Sequence, residues 1–395
     1  MANPSVKDSQ EEERKLFSKE EMKSINCQGD TIVCDAGEWM IRAGFAGATE
    51  PVVAFPDILG RLRAVFGPAG RNDLFIGDEA YRMSGILSLR QPIENNSVKS
   101  FDDLETIWSY LFNGKLGIHP MEHCMLVTEP PLCPKRTRER MTQVFIETYN
   151  VPAVFMANKA VLPLYAHGMT TGVVLDSGEG RSWAVPVYEG YALPHAVRSS
   201  WVSGHELTDR FMALLAMRGL PFGDKGDRKA VRRIKEEICY VSREFDFDVL
   251  SRTTEAEVVH ELPDGQIIGV GAERFIAPEA LFNPSIVGMN DAGVHDLVAE
   301  AISASDHDVQ RMLADNVVIA GGSTMFPNFV ERLEGELHGA LPKGMAPTVV
   351  SKGPRDWLTW LGGSTLAHLS SFPAMCVSRE EYAEAGPAVM NRRSF

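Results

Sequence analysis

Two aspartates, each followed by a small residue and then a glycine, are the residues best placed to do chemistry. Residues 32–37 read Ile-Val-Cys-Asp-Ala-Gly, and residues 173–178 read Val-Val-Leu-Asp-Ser-Gly. Each pattern predicts a β-hairpin in which glycine gives the backbone the freedom of a tight turn. Two facing hairpins can bind a polyphosphate through backbone N–H groups, while Asp35 and Asp176 hold a hydrated metal ion. Two unrelated buried hairpins would give the same patterns, since short motifs often match by chance.

Periodic apolar residues predict the elements that must position these hairpins. Two stretches have the spacing of a buried helix face: Met141, Val144, Phe145 and Tyr149, and Val231, Ile234, Ile238 and Val241. The step Asp264-Gly265 predicts a further hairpin. Strands that alternate with amphipathic helices, together with a duplicated hairpin, predict an α/β fold of two related halves around a central cleft.

Composition and charge narrow the possible partners. The chain has 395 residues and a formal net charge of −14. It is long enough to bury a substantial core and to divide into two or more lobes. The negative charge argues against non-specific binding to nucleic acid. We find no apolar run long enough to cross a bilayer and no apolar signal segment in residues 1–30. We therefore expect no membrane partner and no direct nucleic-acid partner.

The cysteines and the start of the chain carry weaker signals. The six cysteines, at positions 27, 34, 124, 133, 239 and 376, form no Cys-x-x-Cys pair, and we expect reduced thiols rather than zinc ligands or disulfides. Residues 1–30 form a charged N-terminal extension. Within it, residues 8–23 are dense in Glu and Lys, and Ser18-x-x-Glu21 is a capping-box pattern. The extension is expected to be either a short exposed helix or a solvated tail.

Longer stretches resemble the actin and actin-related family. They include residues 43–47, 76–80, 187–195, 261–266 and 360–364. The similarity runs almost without gaps from about residue 31 to residue 395, and it implies the fold that actin shares with sugar kinases and chaperone ATPases.

The same resemblance implies a division of the chain into two halves. The first half would comprise residues 31–166 plus 358–395, with a small inserted lobe at about 57–91. The second would comprise residues 167–357, with an inserted lobe at about 203–291.

The resemblance also implies a site for ATP or ADP with Mg²⁺. The nucleotide-binding candidates are Asp35, Gly37, Arg42, Asp176, Gly178, Glu179, Gly180, Lys235, Glu236, Gly321, Gly322, Ser323, Met325 and Phe326. Asp35 and Asp176 are also the candidate metal ligands. Arg42 replaces the lysine of the family pattern, and Glu179 replaces an aspartate. Gly321-Gly322 follows a strand and precedes a helix, a position where backbone amides can meet phosphate or ribose.

The departures from actin are concentrated around the terminal phosphate. Glu38 and Trp39 stand where actin has serine and glycine, so an anionic acceptor and a bulky ring would face the phosphate. Asp356 stands where actin has a lysine near the adenine. Lys159 replaces the water-positioning glutamine, and Trp183 replaces its partner histidine. We therefore expect a degenerate hydrolysis site with no catalytic residue, and nucleotide binding that is weakened or lost.

Glu38 and Lys159 suggest a more specific hypothesis. Both side chains would point into the vacated phosphate space, one negative and one positive, and could pair to fill the cleft from within. The alternative is that each side chain turns to solvent, because a partly buried pair must offset its own desolvation.

The resemblance further implies an apolar groove for protein partners. Its residues are Tyr165, Gly168, Thr170, Tyr191, Leu361, Leu366, Leu369 and Met375. Such a groove suits an amphipathic helix or a loop of a neighbouring subunit, although each residue alone could equally be an ordinary half-buried one. The loop between Arg63 and Asp78 is about two residues shorter than in actin and contains Pro68, which stiffens it. The plug segment at residues 283–289 closely resembles that of actin.

Two classes of function follow from these observations. The first is a divergent actin-related protein that acts through protein–protein interaction as a structural or adaptor subunit of a cytoskeletal or motor-associated assembly. Its partners would be actin, other actin-like subunits or actin-binding-type proteins, in the cytoplasm and cytoskeleton. A nuclear chromatin-remodelling complex and a cilium are alternative settings. The second class is an ATP-binding, filament-forming protein. Motifs of unrelated enzymes, such as His-Glu-x-x-His and Gly-x-Ser-x-Gly, are missing.

Overall fold

The computed structural model describes residues 29–63, 74–220, 222, 228–251, 257–262 and 265–393. The N-terminal extension up to residue 28, most of the shortened loop with Pro68, and Asp264 of the expected hairpin therefore lie outside the described residues.

The strands are short and mostly buried. In chain order they are β1 (Ile32–Ala36), β2 (Met40–Phe45), β3 (Val53–Pro56), β4 (Leu59–Leu62), β5 (Leu74–Ile76), β6 (Leu87–Arg90), β7 (Ile93–Glu94), β8 (Ser97–Val98), β9 (Met125–Glu129), β10 (Ala153–Asn158), β11 (Gly172–Ser177), β12 (Ser182–Tyr188), β13 (Tyr191–Ala192), β14 (Arg198–Ser200), β15 (Val258–Glu261), β16 (Ile267–Val270), β17 (Val317–Ala320), β18 (Val349–Val350) and β19 (Val377–Ser378).

The helices separate these strands. In chain order the α-helices are α1 (Asp78–Arg82), α2 (Phe101–Ser109), α3 (Lys135–Gln143), α4 (Leu162–Ala166), α5 (Gly204–Met217), α6 (Arg228–Ile238), α7 (Phe245–Ser251), α8 (Glu273–Ile276), α9 (Val294–Ser303), α10 (His307–Ala314), α11 (Phe329–Ala340), α12 (Leu358–Ala367), α13 (Phe372–Met375), α14 (Arg379–Ala385) and α15 (Met390–Arg393). Two π-helical segments, Tyr110–Leu116 and Val144–Thr148, extend α2 and α3, and single 3₁₀ turns cover Pro120–Glu122, Pro194–Ala196, Pro278–Leu281, Pro284–Val287, Gly322–Thr324 and Pro387–Val389.

Two large sheets repeat one topology, which confirms the predicted α/β fold of two related halves. The first has the strand order β19-β10-β9-β1-β2-β3, and the second has β13-β12-β11-β17-β18 with β14 beside β12. In each sheet an antiparallel hairpin, β1–β2 or β11–β12, lies next to two parallel strands, β9 and β10 or β17 and β18. The register of the two hairpins is also equivalent. Asp35 lies opposite Arg42 in β1–β2, and Asp176 lies opposite Trp183 in β11–β12.

Smaller sheets accompany the two large ones. Strands β4, β5 and β6 form an antiparallel sheet against which α1 packs, and β15 and β16 form a hairpin. These elements fall within the expected inserted lobes, while the exact boundaries of halves and lobes stay a prediction.

The two predicted helical stripes pack into separate cores. Met141, Val144 and Phe145 are buried beneath the first sheet, with the ring of Tyr149 against them. Val231 and Ile234 are buried in the core of the second half. Two details differ from the expectation. The first helix changes from α to π geometry at Val144, and the second ends at Ile238, so that Val241 is buried beyond the helix rather than on it.

The cysteines differ in part from the expectation of six reduced thiols. Cys34, Cys133, Cys239 and Cys376 are free and buried, as expected for structural thiols. Cys124, however, is disulfide-bonded. The expectation was therefore wrong at this position, because the spacing of cysteines along the chain carries no information about which of them the fold brings together.

Candidate functional site

The two aspartate hairpins open into one cavity of about 480 Å³. Asp35 and Asp176 both lie on its wall, each 7% exposed. A cavity of this size suits a small organic ligand. The structure brings every nucleotide-binding candidate to the cavity wall: Asp35, Gly37, Arg42, Asp176, Gly178, Glu179, Gly180, Lys235, Glu236, Gly321, Gly322, Ser323, Met325 and Phe326. Glu38, Trp39, Lys159 and Asp356 line the same cavity, and Trp183 does not.

The two aspartates have different surroundings. Asp35 accepts a hydrogen bond of 2.8 Å from the hydroxyl of Thr128, which follows from the parallel pairing of β1 and β9. Asp176 lies 3.9 Å from the amine of Lys159. Burial raises the pKa of Asp176, and the charge of Asp35 raises it too, whereas Lys159 lowers it. Lys159 thus places its amine beside the carboxylate that would otherwise hold a metal ion.

Glu38 and Lys159 do not form the direct pair that the sequence suggests. The carboxylate of Glu38 accepts hydrogen bonds from the backbone amides of Asn95 and Asn96, at 2.9 and 3.1 Å. Both asparagines have positive φ, 54° and 55°, in the tight turn between β7 and β8, which aims their amides at one point. Lys159 donates to Oδ1 of Asn96 at 3.1 Å. Asn96 therefore lies between the two charges and bonds to both.

The carboxylate of Glu38 also crosses the cleft. A Cβ atom on Gly180 would lie only 1.5 Å from Oε2 of Glu38, so the carboxylate rests against the second glycine loop. By contrast, a Cβ on Gly178 or Gly322 would meet nothing within 4 Å. The first hairpin thus fills the space in front of Gly180, and the neighbouring glycines face the open cavity.

Trp39 contributes more than the steric obstacle predicted for it. Its ring lies 3.7 Å from the guanidinium carbon of Arg232 and makes an edge-to-face contact with Tyr81. Arg232 in turn forms an ion pair with Glu179. Glu179, which is longer than the aspartate of the family pattern, thus binds a side chain of the protein itself.

Two other residues that depart from the family pattern, Arg42 and Asp356, carry opposite charges and lie near each other. Arg42 and Asp356 approach to 3.9 Å, with side chains 18% and 32% exposed. At this distance and exposure the attraction is weak. Arg42 nevertheless has an anionic neighbour of its own, which reduces the positive charge available to a ligand.

Lys235 lies on the cavity wall, and its amine is bonded within the protein. The amine of Lys235 donates to the carbonyl of Gly204 and the hydroxyl of Thr208, both at 2.9 Å. Burial, and then the charge of Arg232, lower the pKa of Lys235 to about 7. Gly321 has φ 93°, and a Cβ there would lie 2.3 Å from the carbonyl oxygen of Ser177, so only glycine fits this turn.

Trp183 lies behind the cavity instead of on its wall. It is 5% exposed and packs in the core on the face that carries Asp176, directly opposite that residue in the β11–β12 register. The guanidinium of Arg181 lies 5.0 Å from its ring. An indole nitrogen only donates hydrogen bonds. Trp183 therefore cannot orient a water molecule by accepting a proton from it.

Sequence reasoning missed five residues of the cavity wall. These are Met40, Asn96, Arg181, Gly204 and Thr359. The Asn95-Asn96 pair between two short strands was a usable signal, because adjacent asparagines favour the left-handed turn that aims two amides at one acceptor. Arg181 could have been suspected from its place directly after Gly180.

The expected partner groove is partly surface and partly core. Tyr191 and Leu369 are 52% and 43% exposed, and Gly168 and Thr170 are exposed as well. Leu366 is only 6% exposed and belongs to the core beneath. Tyr165, Leu361 and Met375 are half-buried. Whether this surface binds a partner stays a prediction.

The duplicated sheets around one cleft define a two-lobed α/β protein. A family model described as Actin matches residues 28–395. Because the match covers nearly the whole chain, the chain belongs to the actin family. No helix among the described residues is long and apolar enough to span a membrane.

Only part of the cavity fits the nucleotide with Mg²⁺ that the family implies. The end that contains Gly322 has open space for a nucleoside, since a Cβ there would meet nothing within 4 Å. The phosphate end does not fit, because Glu38 fills the space at Gly180 and Lys159 neutralises Asp176. Within the described ranges no three or more His, Cys, Asp or Glu side chains form a cluster able to hold a metal ion.

Proposed function

We propose that this chain is a divergent actin-related protein that serves as a structural or adaptor subunit and does not turn over ATP. The observation that carries the proposal is the carboxylate of Glu38 against Gly180. It puts a negative charge and a side chain where a terminal phosphate would need backbone amides. Like charges in a partly buried cleft repel strongly, because screening there is weak. Binding of ATP or ADP with Mg²⁺ is therefore weakened or lost.

The surroundings of the cleft also oppose hydrolysis. An attacking water needs an acceptor to orient it and to receive its proton. Lys159 offers only donors while charged, and its amine is engaged by Asn96 and Asp176. Trp183 is buried behind the wall.

The retained surfaces support a role in protein–protein interaction. Tyr191 and Leu369, at the expected groove, each expose apolar area that a partner helix or loop can cover. We assign the protein to a cytoskeletal or motor-associated assembly in the cytoplasm, with actin or other actin-like subunits as partners.

Calorimetric titration and phosphate release test the proposal. ATP-Mg²⁺ is titrated into purified, nucleotide-stripped protein, and phosphate release is followed beside conventional actin. We expect neither tight binding nor release above the buffer rate. The double variant Glu38→Ser, Trp39→Gly should gain affinity by roughly tenfold or more, since about 1.4 kcal/mol corresponds to each factor of ten.

The matched control is Glu94→Ser, which removes an exposed carboxylate of the neighbouring strand β7 outside the cavity wall. It should bind ATP as weakly as the parent. Tight binding by the parent, or phosphate release at the rate of conventional actin, would contradict the proposal. Isolation of the native protein with its partners tests the adaptor role, and recovery only as a monomer would count against it.

A further inference from the structure

Four side chains form a continuous stack beside the cavity, and one of them, Trp39, lies on the cavity wall. Arg232 lies over Trp39, Trp39 contacts the edge of Tyr81, and the amine of Lys229 lies over the ring of Tyr81. We call this set, Trp39, Tyr81, Lys229 and Arg232, the brace. We propose that the brace holds the cleft closed without a nucleotide. The inference rests on the proposed function, because it concerns a cleft that ATP does not occupy.

The brace joins elements that belong to different halves of the molecule. Trp39 follows the first aspartate hairpin strand, and Tyr81 lies on α1, which packs against the small sheet of β4, β5 and β6. Lys229 and Arg232 lie on α6, which packs against α5 beside the second sheet. They are three residues apart and thus on one face of that helix. Each contact of the brace between the halves is therefore a contact across the cleft.

The contact of Arg232 with Trp39 is a desolvated one. Arg232 is 6% exposed, and burial lowers the pKa of its guanidinium. The ring face of Trp39 at 3.7 Å and the carboxylate of Glu179 offset only part of the lost hydration, because Nη1 of Arg232 is buried without a hydrogen-bond partner. Cation–π contacts are strongest at tryptophan and when desolvated. Separation of the two halves would expose this pairing to water and remove its advantage.

The contact of Lys229 with Tyr81 adds a second, directional link. The amine lies 4.0 Å from the centroid of the tyrosine ring and donates to the backbone carbonyl of Tyr81 at 3.2 Å. The tyrosine ring lies 5.0 Å from the ring of Trp39 at an interplanar angle of 68°, the edge-to-face arrangement that aromatic pairs favour. The brace thus consists of two neighbouring rings, Trp39 and Tyr81, with one cation on the outer side of each.

Glu38 adds an inner link behind the brace. Its carboxylate is hydrogen-bonded to the turn at Asn95 and Asn96 and lies in close contact with Gly180, in the second half. In a protein whose lobes close around a ligand, the ligand supplies the contacts that bridge them, and its removal releases the lobes. Here, side chains of the chain itself supply those bridging contacts.

Hydrogen exchange on the full chain tests the brace. The protein is stripped with a chelator and a nucleotide-degrading enzyme, then compared with and without ATP-Mg²⁺. In the parent we expect exchange in α1 and α6 to be equal in both states. In Trp39→Ala we expect exchange in both helices to rise on the order of tenfold, because the lost contact is a desolvated cation–π pair.

The control variant is Trp201→Ala. Trp201 also stacks with a guanidinium, that of Arg181 at 3.7 Å, but it lies outside the brace. It should leave α1 and α6 unchanged. If Trp39→Ala does not fold, Lys229→Met provides the second test, since it keeps the aliphatic stem and removes the cation. It should also speed exchange in α1 and α6.

Two outcomes would overturn the brace. One is unchanged exchange in α1 and α6 in the folded brace variant. The other is faster exchange of the stripped parent than of the nucleotide-loaded parent, which would show that nucleotide closes the cleft. Tight ATP binding by the parent would contradict the proposed function alone, because the response of Trp39→Ala in stripped protein still decides the brace.

Discussion

At the scale of one residue, the negative charge of Glu38, which stands where actin has a serine, affects the ionisation of the buried Asp57. Asp57 is fully buried after β3, and its amide donates to the carbonyl of Trp39. Burial first, and then the charge of Glu38, raise the pKa of Asp57 to about 8, while the backbone amide of Ile93 opposes this. At neutral pH the folded protein therefore keeps a protonated, neutral carboxyl group at this position.

The raised pKa of Asp57 predicts a pH dependence of stability. Between the ordinary aspartate pKa of 3.8 and the folded-state pKa of about 8, the folded state holds a proton that the unfolded state has lost. Stability from this group is thus complete below pH 3.8 and falls as pH rises towards 8, by up to about 1.4 kcal/mol per pH unit. Asp57→Asn should flatten this part of the curve and be more stable than the parent at pH 8.

Urea unfolding from pH 5 to pH 8 checks this prediction. Asp102→Asn, an exposed position in the first turn of α2, is the control and should keep the slope of the parent. An identical slope in Asp57→Asn and the parent would show that Asp57 is ionised in the folded protein.

At the scale of elements, a glycine contact sets how closely two helices approach. Helix α12 packs against α4, and a Cβ on Gly362 would lie 1.8 Å from the backbone carbonyl oxygen of Leu162. Backbone cannot move away as the end of a flexible side chain can. The nitrogen of Trp360, on the same helix, donates to the carbonyl of Val33 in β1. The position of α12 therefore controls the strand that leads to Asp35.

Gly362→Ala should destabilise the protein by about 2 kcal/mol or more, because the added methyl group has no space between the helices. Gly335→Ala is the matched control, since Gly335 lies within α11 and a Cβ there meets nothing within 4 Å. It should stabilise by about 0.5–1 kcal/mol through helix propensity. Denaturant unfolding measures both, and equal effects of the two substitutions would contradict the close approach.

The elements also show what the sequence could and could not predict. Asp35 and Asp176 could be placed because a β-branched run before Asp-small-Gly is a local pattern, and the residues of the cavity wall followed from the resemblance. Tyr81 and Lys229 carried no local signal. Their roles arise only when α1 and α6 meet across the cleft. Glu38 was recognised as an anion near the phosphate space, but its partner amides depend on the φ values of Asn95 and Asn96.

At the scale of the whole molecule, ligand binding and stability are linked. A ligand that binds only the folded state raises stability in proportion to the logarithm of its concentration over Kd. A cleft that excludes the terminal phosphate should gain little from ATP. We expect about 1 mM ATP-Mg²⁺ to raise Tm by less than about 2 °C, since a Kd near or above that concentration yields roughly 0.4 kcal/mol or less.

Differential scanning calorimetry measures this shift. Glu38→Ser with Trp39→Gly should show a larger shift than the parent at the same nucleotide concentration, although its Tm without nucleotide should be lower because the brace is lost. A shift in the parent of many degrees would contradict the expected weak binding.

The placement of Glu38 has a consequence for what neighbours of this protein can sense. A subunit that closes on one nucleotide and relaxes on another presents two different surfaces. Its partners can therefore distinguish a recently added subunit from one added earlier. Here the occupant of the space at Gly180 is covalently part of the chain and is neither exchanged nor consumed. The protein would then have no nucleotide-dependent change of conformation. Any timing in an assembly that contains it must come from another member, and this subunit would mark a location that stays the same throughout the life of the assembly.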